Sequence, residues 1–177
     1  MKKNELFEIL NSKSSNELVD ELILLSENFS VVRDYFDLKH KNKTKLSILK
    51  KYKQKISNAI YPDWEFNEGL NIDFVEEIIE EFSRVTPNID YQIELELYAL
   101  ETGNKCANDM GGDFGEEYYI YFEELFEKTL IKLNKRKIST QILEKINSIL
   151  KIAFEGYGHK DSLEDLWAEH EENPKEY

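Results

Sequence analysis

Residues 88–103 read NIDYQIELELYALETG, and the fold class turns on whether this stretch is strand or helix. Ile89, Tyr91, Ile93, Leu95 and Leu97 alternate with polar neighbours, as a half-buried strand does. Ile93, Leu97 and Leu100 also fit one helical face, and Glu, Leu, Gln and Ala are good helix formers. Nowhere else does the chain offer a strand for it to pair with. The stretch therefore reads as helix.

The flanking sequence falls into line with that reading. Only three prolines and seven glycines interrupt it, so long segments keep the helical period. A short helix fits 4–10. Ser14 and Glu17 form a capping box that opens a second helix, with Leu18, Leu22, Leu25 and Phe29 on one face, continuing or restarting through Val32, Tyr35 and Phe36. A third is expected over 43–60 with Leu46, Leu49, Tyr52, Ile56 and Ile60 as its buried stripe; it stops at Tyr61-Pro62, because proline disfavours the α conformation of the residue before it. A loop over 62–70 carries Trp64 and Phe66.

Further helices are expected over 72–85, ended by Thr86-Pro87, and over 116–133, with Tyr119, Phe122, Phe126, Leu130 and Leu133 inward and Asp113 and Glu116 as an acidic cap. Ser139 caps a helix reaching Phe154, with Ile142, Ile146, Ile149 and Ile152 inward. Asp161 with Glu164 starts a last short helix holding Leu163, Leu166 and Trp167. The expectation is an all-α fold, a compact bundle or short superhelical stack of about eight helices. It forms one domain over 1–171, followed by a polar tail over 172–177.

A chain of 177 residues that is 41% hydrophobic and 12% aromatic has the apolar content for a core and is too rich for disorder. Its apolar runs are too short to span a bilayer, and MKKNELFEIL lacks the apolar core of a signal peptide. A cytoplasmic location is expected. The single cysteine excludes a disulfide within the chain and a zinc site built on several cysteines.

The net charge of −13 is unevenly placed. Residues 1–60 carry 12 Lys and Arg against 8 Asp and Glu, and residues 61–177 carry 11 against 28. A phosphate backbone would meet a negative protein, which disfavours nucleic acid as a partner. The charge layout suits either solubility or steering toward a basic protein.

Three stretches hold candidate chemistry. CANDMGGDFGEEYY, over 106–119, lacks the Lys-Ser/Thr of a phosphate loop and the acid spacing of an EF-hand. Its glycines end one helix, and an oxygen-ligand site from Asp109, Asp113, Glu116 and Glu117 is the alternative. EGYGHKDSLEDLWAEH, over 155–170, places Asp161, Asp165 and Glu169 four apart on one face, with His159 and His170 beside them. That set suits either a metal site or an exposed acidic face. KHKNKTKLSILKKYKQK, over 39–55, holds eight lysines and no acid. It reads as a solvated face, or as a surface that docks on the chain's own acidic half within the fold or across a dimer.

The sequence resembles an uncharacterised bacterial family of small all-helical proteins, a domain of unknown function. The resemblance is carried by VRDYFDL (32–38), LKKYKQKISNAIYP (49–62), LETG (100–103), GDFGEEYYIYFEELFEKTL (112–130) and GYGHKDSLEDL (156–166). It implies a compact helical domain and carries no activity, cofactor or partner.

The leading expectation is a non-enzymatic module that binds a basic protein through an acidic, aromatic surface, of immunity, anti-defence or adaptor type. Residues 63–127 hold 19 acids and two basic residues. Trp64, Glu76, Glu80, Asp113, Glu116, Glu117, Tyr119 and Glu123 are its candidate partner-binding residues. No cofactor and no membrane are expected. One alternative is a metal-dependent hydrolase with ligands from Asp109, Asp113, His159, Asp161 and Asp165. The other is a structural homodimer.

Overall fold

In the computed structural model, residues 89–103 of this stretch lie inside α6 (Ile89–Met110), the longest helix among the described residues, with Asn88 as its N-cap. The described residues are 1–40, 45–61, 72–134, 136 and 138–172. They form nine helices and no strand. Before α6 come α1 (Lys3–Asn11), α2 (Ser15–Asn28), α3 (Ser30–His40), α4 (Lys45–Ile60) and α5 (Ile72–Val85). After it come α7 (Glu116–Leu133), α8 (Thr140–Ile152) and α9 (His159–Glu172).

Helix α6 starts where its sequence says it must. Pro87 ends the preceding turn, and the Asn88 side chain accepts a hydrogen bond from the Asp90 amide at 2.9 Å, which satisfies one free N–H of the first turn. At 1.5 Å per residue, its 22 residues run about 33 Å. It is packed by α4, α5, α7 and α8, and eleven of its residues are buried. A helix enclosed from several sides has no broad polar face. Ile93, Leu95 and Leu97 are all buried, so the strand-like alternation of the sequence comes from a helix enclosed on more than one side.

The polar groups inside α6 are paired. Glu96 meets Lys132 of α7 and accepts from the Thr129 hydroxyl at 3.1 Å. Asn104 donates to the Leu100 carbonyl and accepts from the Phe154 amide at 3.0 Å, which ties α6 to the loop after α8. Gly103 lies under the Phe122 ring, where an added Cβ would come within 2.4 Å of it, so α6 and α7 approach closely.

The other helices form an outer layer. α9 covers α7 and α8, and α3 covers α5 and α4. α2 packs on α3. The capping box at Ser14 and Glu17 is present, as is the Ser139 cap. The second helix does restart: the break at Phe29 separates α2 from α3.

Four expectations need correction. Leu46 is 74% exposed and Ile48 is buried in its place, because the packed arc of α4 is displaced toward Tyr52, whose ring sits 4.9 Å from Phe82 of α5. The N-cap of α7 is Gly115 rather than an acid; Asp113 and Glu116 are exposed. The last helix opens at His159, with the Ser162 amide bonded to the Gly158 carbonyl at 3.0 Å, so Asp161 lies in its first turn. Ile142 and Ile152 are only half-buried. The loop with Trp64 and Phe66, and part of the lysine-rich stretch, lie outside the described residues.

Gly112 gives a direct test of the packing at the end of α6. Its φ is +73° and a Cβ there would lie 1.9 Å from the Phe154 ring, whereas Gly111, at φ +81°, has open space. Gly111→Ala meets left-handed strain alone and should cost about 1–2 kcal/mol. Gly112→Ala adds overpacking and should cost about 2–5 kcal/mol in denaturant unfolding. Equal losses would show that Phe154 does not seat on Gly112.

Candidate functional site

The two glycine-rich loops meet, and the residue between them is Tyr119. On α7 its hydroxyl donates to the Gly112 carbonyl at 2.6 Å. Phe154 stacks on it with ring centroids 5.5 Å apart, and Tyr157 stacks with centroids 5.0 Å apart. Tyr157 adopts a left-handed φ of 57°, a conformation that a bulky residue keeps only when its surroundings impose it. Its hydroxyl reaches Asp113 at 3.2 Å, bridging one loop to the other.

Beneath the stack lies His159, 1% exposed and 5.1 Å from the Tyr119 ring. Its Nδ1 is 2.9 Å from the Glu123 carboxylate on α7. Burial pushes the imidazole below its ordinary range, and the Glu123 carboxylate opposes that shift. Along the sequence Glu123 and His159 belong to different candidate sites; the first turn of α9 brings them together.

The junction is therefore aromatic and not an acidic pocket. Tyr119 is 2% exposed, which removes it from any partner surface, and Glu123 is engaged by His159. Burial holds the Tyr119 phenol up at about 12 and the Cys106 thiol up at about 11; Cys106 donates to the Ile60 carbonyl. Neither is an activated nucleophile.

The candidate metal ligands do not converge. Asp109 accepts from the Tyr61 hydroxyl at 2.9 Å, Asp113 faces Tyr157, and Asp161 and Asp165 are exposed on α9. Among the described residues, no group of three or more His, Cys, Asp or Glu side chains is placed to hold a metal ion.

Carboxylates dominate the outer face of three helices instead. Glu76 and Glu80 on α5, Glu116, Glu117, Glu124 and Glu127 on α7, and Asp161, Glu164 and Asp165 on α9 are exposed. Lys128 sits between Glu76 and Glu124, at 4.0 and 3.7 Å, and so reaches from α7 toward an acid of α5. Arg84 pairs with Glu80 at 2.7 Å. Trp64 lies outside the described residues.

Three lysines of α4 pair with acids of neighbouring helices. Lys51 pairs with buried Asp34 of α3 at 2.7 Å, Lys53 with Glu94 of α6 at 2.7 Å, and Lys55 with Glu81 of α5 at 3.0 Å. The Tyr52 hydroxyl also donates to Glu81 at 2.8 Å. The solvated-face expectation is thus corrected for these three lysines.

A surface that the sequence did not single out lies on the N-terminal helices. Among the described residues, α1 and α2 contain no buried residue, yet α2 is rich in Leu, Ile and Val. Helical period had shown the stripe, but period does not say whether a neighbour covers it.

No family model, curated protein or solved structure matches the chain. Among the described residues, no helix is long and apolar enough to cross a membrane.

The buried histidine sets a pH dependence. With its folded pKa depressed, the unfolded chain binds more protons once the pH drops below the ordinary imidazole value of about 6.5. Stability is fully present above that value and is lost as the pH falls through it. The urea midpoint should drop between about pH 7.5 and pH 5.5, and His159→Gln should flatten part of that slope. Parallel slopes in the two proteins would contradict the assignment.

Proposed function

We propose that the protein is a non-enzymatic interaction module whose acidic outer face binds a basic protein partner, of immunity, anti-defence or adaptor type. The observation that carries this reading is the division of charge: three described lysines of α4 are paired with acids of neighbouring helices, while α5, α7 and α9 expose carboxylates in excess of their cations, with Glu76 and Glu124 sharing Lys128 and Glu80 paired with Arg84. Such a face raises association rates and selects by complementarity more than by buried area. Exposed Phe74 on α5 and Ile120 on α7 add apolar contact beside the acids.

The test is affinity purification from the native host, followed by reconstitution with each purified co-eluting protein. A basic partner should bind at about 50 mM salt and dissociate at about 500 mM, where the screening length is only a few ångströms. The variant E76K/E80K/E124K/E127K should weaken the reconstituted complex about tenfold, mainly through slower association. Recovery of the chain alone at both salt concentrations, or a complex indifferent to the charge reversal, would sink the reading.

A further inference from the structure

Helix α2 is built to stay out. Its N-terminus is closed by the Ser14–Glu17 capping box. Its C-terminus is held by Arg33 of α3, whose guanidinium donates to the Ser26 carbonyl at 3.1 Å and the Glu27 carbonyl at 2.9 Å, a cation on the negative end of the helix dipole. Both ends are thus fixed, and α2 has packing contacts with α3.

Its sides remain apolar and open. Val19, Leu22, Ile23 and Leu25 are each 42–52% exposed, and Phe29 at the junction is 54% exposed. At 100° per residue, Leu25, Leu22, Val19 and Ile23 span an arc of roughly 160°, wider than the stripe a surface helix needs to seat on its own core. Phe7 of α1, 66% exposed, adds an aromatic ring to this N-terminal layer. Contiguous apolar surface of this kind marks a place where another molecule sits.

The margins say what that molecule is. Asp20 and Glu27 lie beyond Ile23, and Glu17 and Glu21 lie beyond Leu25 on the other side. Lys13 pairs with Glu21 at 2.7 Å. A second copy of α2 would set these acidic margins against each other. An occupant with an apolar stripe flanked by Lys or Arg would meet Asp20 and Glu27 on one margin, since on the other Glu17 is held by Ser14 and Glu21 by Lys13. The fold already contains one such arrangement: α4 buries Tyr52, Ile56 and Ile60 while Lys51 and Lys55 reach Asp34 and Glu81 on the helices beside it.

We infer that α2, with α1 beside it in the chain, is the docking site for a basic amphipathic helix of a partner protein. The inference rests on the proposed reading that the partner is basic, and it adds the surface and the secondary structure through which the partner is gripped.

The full chain is titrated with three peptides of roughly 18 residues, long enough to span α2. One is a Leu/Lys amphipathic helix, one is its Leu/Glu counterpart, and one is oligolysine. The Leu/Lys helix should bind at least about tenfold more tightly than either of the others. The double variant L22S/I23S should lower that affinity about tenfold with an unchanged thermal melt, because both side chains are solvent-exposed.

Other outcomes overturn the inference. Binding that survives L22S/I23S and falls in E124K/E127K would place the peptide on the acidic face, leaving the proposed function standing and this site wrong. Equal binding of the Leu/Glu helix, or a dimer that L22S/I23S converts to monomer, would make the occupant something other than a basic helix. Oligolysine binding as well as the Leu/Lys helix would remove the apolar face from recognition. Binding of none of the three would overturn this inference, while the salt-dependent complex remains the separate test of the proposed function.

Discussion

Enclosing a 22-residue helix on several sides sets the terms for everything around it. α6 supplies little polar face of its own, so the helices packed on it must each present an apolar side inward and carry their charges elsewhere. The polar groups it brings inside need partners, since a buried and unpaired one costs several times what a made hydrogen bond contributes. Glu96 finds Lys132 and Thr129, and Asn104 finds the Leu100 carbonyl and the Phe154 amide. The Asn104 clasp then determines where the loop after α8 runs. That placement brings Phe154 and Tyr157 onto Tyr119 and seats His159 beside Glu123.

Charge follows from the same enclosure. Three lysines of α4 have acids of α3, α5 and α6 within reach, and pairing there leaves the exposed faces of α5, α7 and α9 with more carboxylates than cations. Apart from Lys51 with buried Asp34, such partly exposed pairs individually contribute little to stability. Their consequence is the sign of the exterior. A strongly negative surface beside an apolar N-terminal layer offers a basic amphipathic partner both long-range attraction and short-range burial.

Much of the fold is legible in the sequence because its punctuation is local. Ser14 with Glu17, Ser139, and the prolines at 62 and 87 act within a turn or two of themselves, and the helices they bound start or stop where expected, although α8 ends at Ile152 and leaves Phe154, expected inside it, to the loop. What depends on a neighbour is not legible. Period shows that α4 and α2 each have an apolar side, but which part of the α4 side is packed depends on Phe82, and that the α2 side is open depends on nothing covering it. Tyr119 reads both as part of the inward stripe of α7 and as an aromatic among acids suited to a surface; it is buried, as the stripe requires, under the stacked rings of a loop about 35 residues further on. The Glu123–His159 contact spans 36 residues and leaves no local pattern.

Cohesion gathers around α6, while the N-terminal layer is left for a partner. Hydrogen exchange on the isolated chain is the sharpest test, since amide protection reports how much local stability each helix has. α6 and α7 should exchange only on global unfolding, while α1 and α2 should exchange several orders of magnitude faster. Protection of α2 equal to that of α6 in the free chain would contradict this, because the helix would then already have its partner.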